Sequence, residues 1–122
     1  MSSTYTIYHN PRCSKSRQTL ALLEEHNITP SVVEYLSNPP DAATLTSLLK
    51  LLDCSARDLM RPKEAAFIEA KLDDTNLSEA ELINAMIAQP IVIERPIVVK
   101  HDGTEPTQAV IGRPPENVLT LL

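Results

Sequence analysis

The sequence predicts an α/β fold of order β-α-β, a helical block, then β-β-α, within a single domain over residues 1–122. Three observations predict it. Near the N-terminus two β-branched runs flank a helical pattern. Leucine-rich stretches at helical spacing, broken by prolines, fill about residues 41–89. Two further β-branched runs then surround Asp102-Gly103 and lead into a proline-initiated terminal helix.

Thr4-Tyr5-Thr6-Ile7-Tyr8 is short, β-branched and aromatic with polar interleaving, the pattern of a strand. His9-Asn10-Pro11-Arg12 is a loop, because the residue before a proline avoids the helical region. From Ser14 to about His26 the spacing is helical, with Leu20 and Leu23 on one face and Leu22 beside it. Ile28 to Tyr35, with Val32-Val33 inside it, is expected as a second strand. The first 35 residues thus form a βαβ unit, which implies a parallel pair and a right-handed crossover.

Asn38-Pro39-Pro40-Asp41 breaks the chain and caps a helix carrying Leu45, Leu48, Leu49 and Leu52. Arg57 to Lys71 is expected as a short helix, a turn at Arg61-Pro62 and another short helix. Ser78-Glu79-Ala80-Glu81 matches a capping box, ahead of Leu82, Ile83, Met86 and Ile87, and Pro90 ends that helix. Ile97-Val98-Val99, Asp102-Gly103 and Thr107 to Ile111 form a hairpin with a tight Asp-Gly turn. Gly112-Arg113-Pro114-Pro115-Glu116 opens the last helix, where proline suits the first turn; Val118, Leu119 and Leu122 are its expected buried face. This order resembles the thioredoxin fold with a helical insertion after the second strand. In that fold a reactive cysteine follows the first strand and a cis-proline precedes the third; Cys13 and Pro96 occupy those positions.

Composition narrows the function. With 43% apolar residues and little aromatic material, the core is aliphatic. The formal charge of −5 argues against nucleic-acid and anionic-membrane binding. Two cysteines in 122 residues make no disulfide framework. No signal-peptide pattern and no apolar run of spanning length occur, so a reduced, soluble, cytoplasmic protein is expected. The Cys and His residues have no metal-ligand spacing, and no glycine-rich phosphate loop is present, so neither a metal nor a nucleotide cofactor is expected.

The chemistry concentrates at Cys13. A free thiol, with a pKa of about 8.5, is mostly protonated at neutral pH, and the thiolate is the nucleophile. Cys13 stands at a helix start, where orphan N–H groups and the helix dipole favour an anion. Arg12, Lys15 and Arg17 add positive charge, and His9 and Ser16 are close enough in sequence to hydrogen-bond sulfur. A Cys-x-x-Cys oxidoreductase has a second cysteine where this chain has Ser16. Exchange begun at Cys13 therefore needs an external thiol to finish; Cys54, after a leucine-rich helix, is expected to pack. Arg61, Arg95 and Arg113 each precede a proline, and guanidinium groups bind tetrahedral oxyanions bidentately. His26 is expected at a helix C-terminus and His101 in solvent.

These residues carry a resemblance. The chain resembles the glutaredoxin-coupled arsenate reductases of the ArsC type over essentially its whole length. The match includes Ile7-Tyr8-His9-Asn10-Pro11-Arg12-Cys13-Ser14-Lys15-Ser16-Arg17, Glu34-Tyr35-Leu36, Asn38-Pro39-Pro40, Leu59-Met60-Arg61, Gln89-Pro90-Ile91, Glu94-Arg95-Pro96-Ile97-Val98-Val99 and Gly112-Arg113-Pro114-Pro115-Glu116. The loop reads Ser14-Lys15-Ser16 where the resistance-operon enzymes have a Gly-Thr-Ser type segment. The resemblance implies reduction of arsenate to arsenite through a covalent adduct on Cys13. It implies oxyanion binding by Arg61, Arg95 and Arg113, and support of the thiolate by His9; Asn10, Arg12, Ser16 and Arg17 are expected to support it by their place in the loop beside Cys13. It also implies a cis-proline at Pro96, and electrons from glutathione, as co-substrate, and glutaredoxin. Two alternatives stand beside it. One is an Spx-type regulator that contacts RNA polymerase, with which the chain shares Arg95-Pro96-Ile97. The other is a thiol reductase acting on a different substrate, such as a glutathione mixed disulfide.

Overall fold

In the computed structural model, which describes residues 3–122, four strands form one sheet in the order β2-β1-β3-β4. The chain divides into two compact units, one made of the residues up to Asn38 together with Arg95–Leu122, the other of Pro39–Glu94.

The first unit holds the sheet. Strand β1 (Ser3–Tyr8) lies between β2 (Ser31–Val33), to which it is parallel, and β3 (Ile97–Asp102), to which it is antiparallel. Strand β4 (Glu105–Ile111) completes the edge. Helix α1 (Ser14–Glu25) supplies the crossover from β1 to β2. The arrangement is thioredoxin-like, as the element order implies. Side chains alternate across a strand, so Ile7 and Val98, paired in register, share one face. That face packs Leu23 of α1 and Val118 and Leu121 of the terminal helix into a core of fully buried aliphatics.

Three elements differ from their sequence patterns for local reasons. β2 spans three residues rather than Ile28 to Tyr35. Asn27 takes φ 62° and the Ile28 N–H donates to Leu23 O at 3.0 Å, so Ile28 is committed to closing α1 in a Schellman motif. Pro30 has no N–H for a ladder, and beyond Val33 the Ser37 N–H turns back to Glu34 O. In the hairpin, Asp102 is still paired with Glu105, which leaves Gly103-Thr104 as the loop, with Gly103 at φ +64°. The terminal helix, Pro115–Leu121, is 3₁₀. Its three-residue period buries Pro115, Val118 and Leu121, while Leu119 and Leu122 are 41% and 47% exposed.

The second unit is helical. In α2 (Ala42–Leu52) Asp41 caps the Thr44 N–H, and Leu45, Leu48 and Leu49 are buried. A 3₁₀ turn at Arg57–Leu59 and the short α3 (Ala65–Glu69) flank Arg61-Pro62. Helix α4 (Glu79–Ala88) starts in a complete Ser78/Glu81 capping box and buries Leu82, Ile83 and Met86. Pro90–Val92 is a 3₁₀ turn, after which Ile93 bridges Met60 in antiparallel fashion. No helix among the described residues is long and apolar enough to cross a membrane.

Candidate active site

Cys13 is the N-cap of α1, with extended backbone angles of φ −94° and ψ 123°, and is partly exposed. Its position follows from the loop before it. Asn10, almost fully buried, uses three of its groups there. Its carbonyl accepts the Cys13 N–H at 3.0 Å, its Oδ1 accepts the Arg12 N–H at 3.0 Å, and its own N–H donates to Ser16 Oγ at 3.0 Å. The loop is thereby tied to the first turn of the helix it introduces.

His9 and Ser16 engage one another: His9 Nδ1 and Ser16 Oγ are 2.6 Å apart, and both residues are buried. Burial lowers the His9 pKa, opposed by Glu34 and aided by Arg17, so the ring is neutral at neutral pH. With Nδ1 unprotonated, the ring accepts a hydrogen bond from the Ser16 hydroxyl, and Ser16 Oγ in turn accepts one from the Asn10 N–H. The serine side chain is thus occupied inside the loop, and Ser16 reaches the sulfur through its backbone N–H.

The Cys13 thiol is pulled below its ordinary pKa. Partial burial pushes it up, but the backbone N–H groups of Ser16 and Lys15, the charge of Arg113 and a hydrogen bond from Arg95 together outweigh it. Arg113 donates from Nη2 to Cys13 Sγ at 3.3 Å and from Nε to Arg95 O at 2.8 Å. The Arg95–Pro96 and Arg113–Pro114 bonds are both cis; the sequence reading named only the first. Arg12 and Arg17 are exposed, and Arg17 Nη1 donates to Pro11 O at 2.9 Å.

Two residues to which the sequence patterns assign no role at the site complete this arrangement. Thr19, fully buried in α1, donates to Lys15 O at 2.8 Å and to Gly112 O at 3.2 Å. A Cβ on Gly112 would lie 2.6 Å from Thr19 Oγ1 and 2.9 Å from Pro96 Cγ. The available signal was Gly112 itself, one of only two glycines, at a strand end where glycine marks close backbone approach.

Arg61 belongs to the second unit. Its N–H donates to Val92 O at 2.7 Å, its Nε is 3.5 Å from Glu64 Oε1 and its Nη1 is 3.6 Å from Glu94 Oε1. Cys54 also lies there, and its N–H closes α2 on Leu49 O at 3.1 Å. Burial raises its thiol pKa, and Asp58, Asp53 and Glu79 raise it further. The two free cysteines therefore have opposite characters. His26 caps α1. His101, expected in solvent, is half-buried with Nε2 3.1 Å from Thr6 Oγ1 across the β1–β3 pair. Among the described residues no group of three His, Cys, Asp or Glu side chains could hold a metal.

A cysteine at a helix N-terminus, its thiol pKa lowered and Arg113 and Arg95 on its sulfur, in a thioredoxin-like fold, defines a thiol-based class of protein. The sequence model of the ArsC family matches residues 8–121, and the chain belongs to that family. It is 54% identical over 123 residues to the uncharacterized protein YfgD of Escherichia coli K12, covering 100% of this chain and 99% of that one. It is 44% identical over 119 residues to a protein of Rhizobium meliloti named arsenate reductase, covering 98% and 81%. Among solved structures, one described as arsenate reductase from Vibrio cholerae superposes with a TM-score of 0.92 at 46% identity, with 100% of both chains covered.

Proposed function

We propose that this protein reduces arsenate to arsenite, with Cys13 as the nucleophile. The observation that carries the reading is the Arg113 Nη2–Cys13 Sγ contact of 3.3 Å, reinforced by Arg95 on the same sulfur. Guanidinium groups on the sulfur support the reading, because they would also bind the oxygens of the anion that the thiolate attacks. Relatives named arsenate reductase, at 44% identity and above, support arsenate as that anion.

In the first step the Cys13 thiolate bonds to arsenic, and one arsenate oxygen leaves and is protonated to water. Arg95 and Arg113 neutralise the oxygens of the adduct, and the Ser16 and Lys15 N–H groups at the helix N-terminus favour negative charge there. For Arg61 as the third arginine the proposal rests on the family resemblance; Arg12 and Arg17 contribute only positive charge in the neighbourhood of the loop. Arsenic is still pentavalent in the adduct. Reduction takes two electrons, which two outside thiols, of glutathione and of glutaredoxin, supply as they become a mixed disulfide, their two protons leaving with one arsenic-bound oxygen as water. Water then cleaves the sulfur–arsenic bond, releasing trivalent arsenite and returning Cys13. An external reductant is supported by Ser16 at the fourth motif position and by Cys54, whose thiol pKa burial, and then Asp58, Asp53 and Glu79, push up. Such a reductant matches a cytoplasmic location.

The test is a coupled assay with arsenate, glutathione, glutaredoxin and its reductase, comparing the wild type with Cys13→Ser. Turnover that depends on Cys13 is expected. Its absence on arsenate, with Cys13-dependent turnover on a glutathione mixed disulfide, would replace arsenate as the substrate.

A further inference from the structure

The Arg113–Cys13 contact joins the C-terminal segment to the start of α1, and what sets its length is not in either residue. Arg113 is held on one side by its Nε bond to Arg95 O, and the preceding Gly112 N–H donates to Pro96 O at 2.9 Å. These two bonds fasten residues 112–113 to 95–96. Neither fastens them to α1, which carries the sulfur. The link to α1 near this segment is Thr19, six residues on from Cys13 and so about 9 Å along the helix axis. Its single hydroxyl proton is shared between Lys15 O, in the back-bonded geometry of a helical threonine, and Gly112 O. The approach is closer than any side chain at 112 allows, since a Cβ there would meet both Thr19 Oγ1 and Thr19 Cγ2 below 3.0 Å. Thr19 is fully buried and its hydroxyl has both partners within the protein.

We propose that Thr19 and Gly112 form a clasp that sets the reach of the Arg113 guanidinium to the Cys13 sulfur, with Thr19 as a positioning residue acting through Gly112. A threonine supplies the hydroxyl that accepts its place between two carbonyls, and a glycine allows the distance. The inference shares with the proposed function only the choice of Cys13 as the reacting group, and it holds for any substrate of that thiolate.

The pH profile of Cys13 alkylation by iodoacetamide tests it without arsenate, so failure of the arsenate reading leaves the result intact. The groups that face the sulfur are Arg113, Arg95 and the Ser16 and Lys15 N–H groups; Arg113 is joined to the clasp through Gly112, Arg95 through Pro96 and Lys15 through the carbonyl that Thr19 also engages, and the Arg113→Ala background separates the first route from the other two. Thr19→Val keeps the shape and removes the hydroxyl; Thr19→Ser keeps the hydroxyl. Thr19→Val is expected to move the alkylation midpoint upward, toward that of Arg113→Ala, and Thr19→Ser to restore it. In the Arg113→Ala background Thr19→Val is expected to add no further shift, because the clasp acts through that arginine. Gly112→Ala, which keeps the hydroxyl but forces the segments apart, must shift the midpoint in the same direction and decides the matter if Thr19→Val does not fold. A Thr19→Val profile superimposed on the wild type, or a shift that adds fully to that of Arg113→Ala, overturns the proposal. So does a folded Gly112→Ala variant with an unchanged midpoint.

Discussion

Arg113 Nη2 and Cys13 Sγ, one hundred positions apart in sequence, lie 3.3 Å from each other. The contact pairs a guanidinium with a thiolate and stabilises the charged form of the sulfur. Removing it in Arg113→Ala is expected to raise the Cys13 alkylation midpoint, the effect of losing an adjacent opposite charge. Arg113→Lys keeps the charge but loses the Nε donor to Arg95 O, so it is expected to recover only part of the shift. The pH dependence of alkylation rate measures both.

The two cysteines are both partly exposed, so access does not separate them. Their acidities do. The Cys13 pKa is lowered against burial by backbone donors and arginines, whereas burial and three carboxylates raise that of Cys54. At pH 7 the thiolate fraction is therefore larger at Cys13. Brief treatment with iodoacetamide should label the Cys13 peptide well ahead of the Cys54 peptide by mass spectrometry. Equal labelling would contradict the assignment.

Ser16→Ala removes the partner of both His9 Nδ1 and the Asn10 N–H, in a buried loop. Leaving buried polar groups unsatisfied costs about 1–3 kcal/mol, which should appear as a lower urea midpoint. The backbone N–H that faces the sulfur is retained, so the alkylation midpoint should move less than in Arg113→Ala.

His9 gives stability a pH dependence of known sign. Burial lowers its folded-state pKa, so between that value and the ordinary value of about 6.5 the unfolded chain binds more protons. Stability therefore rises with pH through this window, and this contribution is lost as pH falls through it toward the folded-state pKa. Urea unfolding of wild type and His9→Gln across this range should give a flatter profile for the variant. Parallel profiles would show that the imidazole is not held neutral.

Sulfate or phosphate should protect Cys13 from alkylation, competitively and less at high ionic strength, because the arginines on the sulfur also form an anion cradle. Protection unchanged in Arg113→Ala would place the anion elsewhere.

What the sequence determined by itself was local. The start of α1 at Cys13, the Asp41 cap and the Ser78/Glu81 box are legible because their hydrogen bonds join residues three or four apart. The βαβ start was legible for a similar reason, since hydrophobic period distinguishes strand from helix within one window. Periodicity failed where a backbone choice outside the pattern intervened. Asn27 in the left-handed region took Ile28 from β2, and the 3₁₀ geometry of the terminal helix replaced Leu119 by Leu121 on its buried face. Tertiary structure alone decided what surrounds the sulfur. Arg12, Lys15 and Arg17 are its neighbours in sequence, yet the side chains that act on it are Arg113 and Arg95. They are brought there by the pairing of β1 with β3 and by the clasp of Thr19 on Gly112. The energy of such a contact depends on the register of strands nearly a hundred residues apart, and no local pattern encodes that distance. Cys13 was therefore readable as a candidate nucleophile from its place at a helix start, while the contacts of Arg113 and Arg95 with its sulfur exist only in the folded chain.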